Sequence, residues 1–130
     1  MTTLVLPIYY TQKFKTKSDK VWLVGDNAYR NWHYFFKNEV KQHYHTLVGK
    51  QACALKIPGQ FVLQIDIYLK NPTSDPSNVA SRMEKFTLDG LQECGTIIDD
   101  TSKYHIGTNW EFKAIDKDDP RVEITLNPIK

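Results

Sequence analysis

The sequence is short of the residues that would mark a secreted, membrane-bound or metal-stapled protein. Only two cysteines, Cys53 and Cys94, occur in 130 residues. They lie far apart with no paired-ligand spacing, which argues against a zinc site or a disulfide framework and leaves two buried or incidental thiols. No apolar run approaches bilayer length, and residues 1–10 lack the basic start, apolar centre and cleavage site of a signal peptide. The expected location is the cytoplasm, with no membrane partner. The histidines are few, at four, and most lie on or near one predicted helix. His43 and His45 point to different helix faces and do not share a metal. Leu23-Val-Gly25-Asp26 has neither the glycines nor the lysine of a phosphate loop. Ser77 and Ser81 have no histidine nearby in sequence, so no nucleophilic triad can be assembled by inspection. Net charge is small as well, +2 at neutral pH, which permits a nucleic-acid partner without establishing one.

What is present reads as one globular domain. Hydrophobic residues make up 41% and charged residues 25%, the balance of a soluble core-forming chain, and the length suits a single unit spanning residues 1–130. Leu4 to Tyr9 and Val21 to Val24 predict short strands. After Gly25, with Asp26 or Asn27 as cap, Ala28, Trp32, Phe35, Phe36, Val40 and Leu47 recur at helical spacing and predict one amphipathic helix up to Gly49. Phe61 to Lys70 alternates as a strand, with Phe61, Leu63, Ile65, Ile67 and Leu69 on one face. A second helix is expected from Ser77 to Cys94, ended by Gly95. Strands near Tyr104 to Phe112 and Arg121 to Leu126 close the chain. The expected fold is a small α+β domain with a mixed sheet of about four strands and two main helices.

Charge is arranged unevenly along this order. Lys13, Lys15 and Lys17 alternate and Lys20 follows, whereas Asp116, Asp118 and Asp119 gather in a late turn. Arg30, Tyr34, Lys37 and Lys41 repeat at three- or four-residue steps and share a helical stripe. Phosphates and bases suit such a surface, and so does plain solvation. Acid brackets the second helix: Ser74-Asp75-Pro76-Ser77-Asn78 enters it, and Asp99-Asp100 follows it. Two carboxylates held at fixed separation are the minimum for a magnesium ion, which phosphodiester hydrolysis uses to activate water and neutralise phosphate charge. The plainer reading is that Asp75 caps a helix and Asp99-Asp100 sits in a loop. Asn78, Arg82, Lys85 and Asp89 line one side of that helix, where a cation would stabilise a departing oxygen.

Four stretches together resemble the RusA family of Holliday-junction resolvases, especially its phage and prophage members. Asn27-Ala-Tyr-Arg-Asn-Trp-His-Tyr-Phe-Phe-Lys-Asn38 resembles the family's first helix, and Asp75-Pro-Ser-Asn78 its Asp-x-Asp-Asn motif. Lys85-Phe-Thr-Leu-Asp-Gly-Leu91, with Cys94-Gly95 and Asp99-Asp100, resembles its second helix and acidic turn. Asp119-Pro-Arg-Val-Glu-Ile124 is similar to its closing strand. The resemblance implies a homodimer that binds a four-way DNA junction and, with magnesium or manganese, nicks two opposing strands symmetrically inside a bacterial host. It implies catalytic and metal-binding roles for Asp75, Asp100 and Asp99, with Ser77 standing where the family has a further aspartate. Asp66 is expected to point the wrong way, which leaves Asp99 or Glu84 as the candidate substitute for that carboxylate. The family's helix lysine would fall near Ser81, leaving Arg82 or Lys85 to supply its charge. Junction contacts are expected from Lys13, Lys15, Lys17, Arg30, Lys37, Lys41 and Asn78. Two functions follow as alternatives: an active junction endonuclease, or a junction-binding or regulatory protein impaired at Ser77.

Overall fold

A computed structural model describes residues 2–129. The elements in chain order are β1 (Thr2–Pro7), β2 (Tyr9–Gln12), β3 (Lys20–Leu23), α1 (Asp26–Asn31), α2 (Tyr34–Ala52), β4 (Phe61–Leu69), α3 (Pro76–Glu93), β5 (His105–Ile115) and β6 (Arg121–Pro128). Four strands form a mixed sheet in the order β1-β6-β4-β5, and β2 and β3 form a separate two-stranded ribbon. The α+β class and the four-stranded mixed sheet agree with the sequence expectation.

Alternation places the sheet. Phe61, Leu63, Ile65, Ile67 and Leu69 of β4 are buried, while Val62, Gln64, Asp66 and Tyr68 are only half-buried on the opposite face. Val122, Ile124 and Leu126 of β6 and Leu4 and Leu6 of β1 continue the buried row. Helices α2 and α3 cover this row and pack on each other. Tyr44 of α2 stacks on Phe86 of α3 with ring centroids 4.9 Å apart, and its hydroxyl donates to the Pro7 carbonyl. Burial raises the Tyr44 pKa well above the ordinary phenol value. The helices approach closely where Gly90 meets Val48: a Cβ at Gly90 would stand 2.9 Å from the Val48 Cβ.

The first predicted helix is two helices. The chain leaves helical geometry at Trp32, whose φ and ψ are −76° and 148°, and His33 caps α2 by accepting the Phe35 N–H at Nδ1. The break lets Tyr29 and Trp32 fold back. Trp32 packs on Phe36 at 4.6 Å and on Trp22 at 5.6 Å, an aromatic cluster joining the ribbon to both helices. Phe35, expected in the core, is exposed instead; the break rotates it away from the buried side, which is carried by Val40, Tyr44, Val48 and Ala52. The first predicted strand also splits, and Tyr9 belongs to β2 rather than β1. Cys53 and Cys94 are both free, and Cys53 is exposed. Among the described residues no helix is long and apolar enough to cross a membrane.

Strand β5 lies at the sheet edge, parallel to β4, with His105 beside Phe61 and Ile115 beside Leu69. Helix α3 is the crossover between these two parallel strands, so it starts at the Leu69 end of the sheet and finishes at the Phe61 end.

Candidate functional site

The entry to α3 is built by short polar side chains. In the loop after β4, Asn71 Oδ1 accepts from the Thr73 N–H at 3.2 Å and from the Thr73 hydroxyl at 2.6 Å. Asp75 follows with extended backbone and caps α3; its Oδ1 accepts from the Ser77 N–H at 3.0 Å and from the Ser77 hydroxyl at 2.8 Å. Pro76 occupies the first turn, where a missing N–H costs nothing. The Ser77 hydroxyl, assisted by backbone N–H groups, holds the exposed Asp75 carboxyl below the usual carboxylate range. Asp75 therefore stays ionised at neutral pH.

Asn78 ties this entry to α1. Its Oδ1 accepts the Asn27 N–H at 2.7 Å, and a Cβ at Gly25 would come within 2.4 Å of its Nδ2. The side chain expected to touch DNA is thus a clamp between two helix starts. One turn on, Arg82 is largely enclosed. Its guanidinium lies over Tyr29 at 4.1 Å and Phe86 at 4.9 Å, with Nε 3.5 Å from Asp26 Oδ1. Arg82 holds α1 against α3, whereas Lys85 is open to solvent, with Asp89 at 3.9 Å. Of these two cations, Lys85 is the one a phosphate can reach.

The acidic residues after α3 do not join Asp75 within the chain. Asp99 Oδ1 accepts the Thr101 N–H and hydroxyl, which lower its pKa. The turn that follows is fastened to the start of β4: the Phe61 N–H donates to the Tyr104 carbonyl, and Ile97 bridges Ile57. Asp75 stands at the other end of β4. The 18 residues of α3 separate the two positions, a span of about 27 Å at 1.5 Å per residue. Asp66 is no substitute, because it lies on the sheet face away from the helices and accepts from Gln64 at 3.0 Å, with Lys113 at 3.9 Å. Glu84, half-buried, makes no hydrogen bond or ion pair among the described residues. Among the described residues no three His, Cys, Asp or Glu side chains are grouped closely enough to hold one ion. Hard carboxylate donors suit magnesium in kind, but Asp75, Ser77, Asp99 and Asp100 of one chain do not fit a shared ion.

The cations fall into two groups. Lys13, Lys15 and Lys17, all exposed, occupy the tip of the β2–β3 ribbon. An open pocket of about 470 Å³ there is lined by Gln12, Phe14, Lys17, Ser18, Lys20 and Trp22. Lys17 lies 4.5 Å over Phe14 and Lys20 lies 4.5 Å over Trp22. Lys37 and Lys41 sit on α2, but Arg30 sits on α1, where it bonds Asn27 Oδ1 at 2.7 Å. The predicted stripe is therefore divided by the break at Trp32 and His33. Sequence reasoning offers Asp26 only as a helix cap, a position that Gly25 takes instead, and does not reach Tyr29, Phe14 or Trp22, whose partners come mostly from distant segments. Only the interleaving of Phe14 with lysines offers a local signal.

No family model matches the chain, and no curated protein matches it in sequence.

Proposed function

We propose that this is a DNA-binding nuclease acting on branched duplexes as a homodimer. More particularly, we assign it to the RusA type, a magnesium- or manganese-dependent endonuclease that nicks opposing strands of a four-way junction. The observation that carries DNA as substrate is the ribbon tip, where exposed lysines surround Phe14 and Trp22. Lysines neutralise phosphate and aromatic faces stack on bases, and both are sequence-tolerant interactions. Asp75 supports the nuclease part: it is an ionised, accessible carboxylate at a strand-to-helix junction, with the solvent-facing Lys85 on the same helix.

Ser77 favours a second reading, a protein that binds junctions without cutting them. Its hydroxyl is donated to Asp75 and adds no anionic oxygen to the site. Both readings require structure-selective binding. A labelled four-way junction should remain bound under an excess of linear duplex of equal length. Equal competition by the duplex would remove the branched substrate from both readings.

A further inference from the structure

Cys53 and Cys94 are far apart in sequence, but they hold equivalent places in the fold. Each is the C-cap residue of a long helix, Cys53 of α2 and Cys94 of α3. The two helices run side by side in the same direction, with Tyr44 on Phe86 and, four residues later in each, Val48 against Gly90. One further turn along the same stripes come Ala52 and Cys94, and Cys53 is the residue after Ala52.

Polar contacts hold these two helix ends together. The buried Thr96 hydroxyl donates to the Ala52 carbonyl at 2.6 Å and lies 3.2 Å from Cys94 Sγ. One hydroxyl therefore touches both the peptide that joins Ala52 to Cys53 and the Cys94 thiol. Beyond the caps the two segments stay paired: Lys56 Nζ donates to the Gly95 carbonyl at 3.1 Å, and the Ile57 N–H donates to the Thr96 carbonyl at 2.8 Å. Cys53 is exposed, whereas Cys94 is half-buried. One thiol is thus open to a dissolved oxidant, and the second is sheltered at the neighbouring cap.

We propose that Cys53 and Cys94 form a reversible disulfide with hydrogen peroxide as oxidant, a redox switch that joins the ends of α2 and α3 covalently. A disulfide spans Cα atoms up to about 7 Å apart, and the hydrogen bonds through Thr96 set the two caps side by side. The exposed Cys53 reacts first. Its sulfur attacks a peroxide oxygen, the O–O bond breaks, and water leaves with the Cys53 thiol proton, which makes a sulfenic acid. The Cys94 sulfur then attacks the Cys53 sulfur. The S–S bond forms, the S–O bond breaks, and the hydroxyl leaves as a second water with the Cys94 thiol proton. The two thiols together lose two electrons, and the peroxide is reduced to two waters.

The bond closes a loop of about 40 residues that contains β4 and α3, and cross-linking a loop of that length restricts the unfolded chain and stabilises the folded one. It also ties the end of α2 to the segment that leads from Cys94 into Asp99 and Asp100. The switch stands independently of the nuclease reading, because it rests on the two helix ends alone.

Mass spectrometry on purified protein, first reduced and then treated with hydrogen peroxide, tests the bond. The intact mass of the chain should fall by two hydrogens, and peptide mapping without reductant should recover the Cys53 peptide linked to the Cys94 peptide. Dithiothreitol should reverse both changes. The melting temperature of the oxidised protein should exceed that of the reduced protein by at least about 5 °C. C53S and C94S, each shown to be folded by circular dichroism, should display neither the mass loss nor the rise. Thiols that both remain open to alkylation after peroxide, oxygen gained in place of hydrogen lost, or a cross-link between chains instead of within one overturns the switch.

Discussion

The smallest unit with a functional consequence is the pair Asp75 and Ser77. The Ser77 hydroxyl is the largest of the influences that lower the Asp75 pKa, so Ser77→Ala should raise it. Carboxyl-carbon NMR titration of Asp75 reads this directly, and an unmoved midpoint would show that the backbone N–H groups suffice. The sign of the stability effect follows. A carboxyl with a depressed folded-state pKa contributes stability above its unfolded pKa and loses it as pH falls through the folded value. Acid unfolding of Ser77→Ala should therefore begin at higher pH than that of wild type. Ser77→Asp removes the same donor and adds a like charge beside Asp75; if a third carboxylate is what the site lacks, it should nonetheless tighten magnesium binding and raise nicking. Slower nicking than wild type would mean that another group already serves as ligand.

Residue roles are legible in the sequence where the chemistry is local. Asp75-Pro76 has the residue types of a helix start, and Asp75 caps α3. Arg82 and Asn78 are not legible, because each is occupied by a partner about fifty residues away in sequence. Helical spacing assigns them to an outer stripe, and only the packing of α1 on α3 turns them inward.

Among the elements, two glycines at helical positions predict opposite outcomes. Nothing lies within 4 Å of a Cβ placed at Gly49, so Gly49→Ala should stabilise α2 by about 0.5–1 kcal/mol through helix propensity. At Gly90 the Val48 side chain already stands at 2.9 Å, so Gly90→Ala should destabilise the protein by about 1–3 kcal/mol, overpacking outweighing propensity. Urea denaturation of both variants checks the contrast, and equal shifts would mean that the helix crossing accommodates the added methyl group. Strand β4 is readable along its whole length because alternation survives when one face is buried. The break between α1 and α2 is not readable. Residues 26–49 keep a helical rhythm, and the clustering of Trp32 with Trp22 and Phe36, a tertiary event, overrides it. The character of β5 is equally hidden: its residues predict a strand, but only strand order shows that, among the described residues, one of its edges is unpaired.

At the scale of the whole molecule, phosphate neutralisation should make binding salt-dependent. Replacing Lys13, Lys15 and Lys17 together by alanine should lower the slope of log affinity against log salt by about one unit for each phosphate that is no longer neutralised. An unchanged slope would mean that the ribbon tip is only a solvated surface. The acidic residues at the two ends of the sheet give the molecule its other long-range feature. Among the described residues of one chain they make no shared ion site.

The most direct test is to map the products of a labelled four-way junction incubated with the protein, with and without magnesium or manganese, beside Asp75→Asn. Paired nicks at symmetric positions on opposing strands, present only with metal and absent in Asp75→Asn while junction binding persists, are the expected result. A junction left intact with either metal, or cut equally by Asp75→Asn, would contradict it.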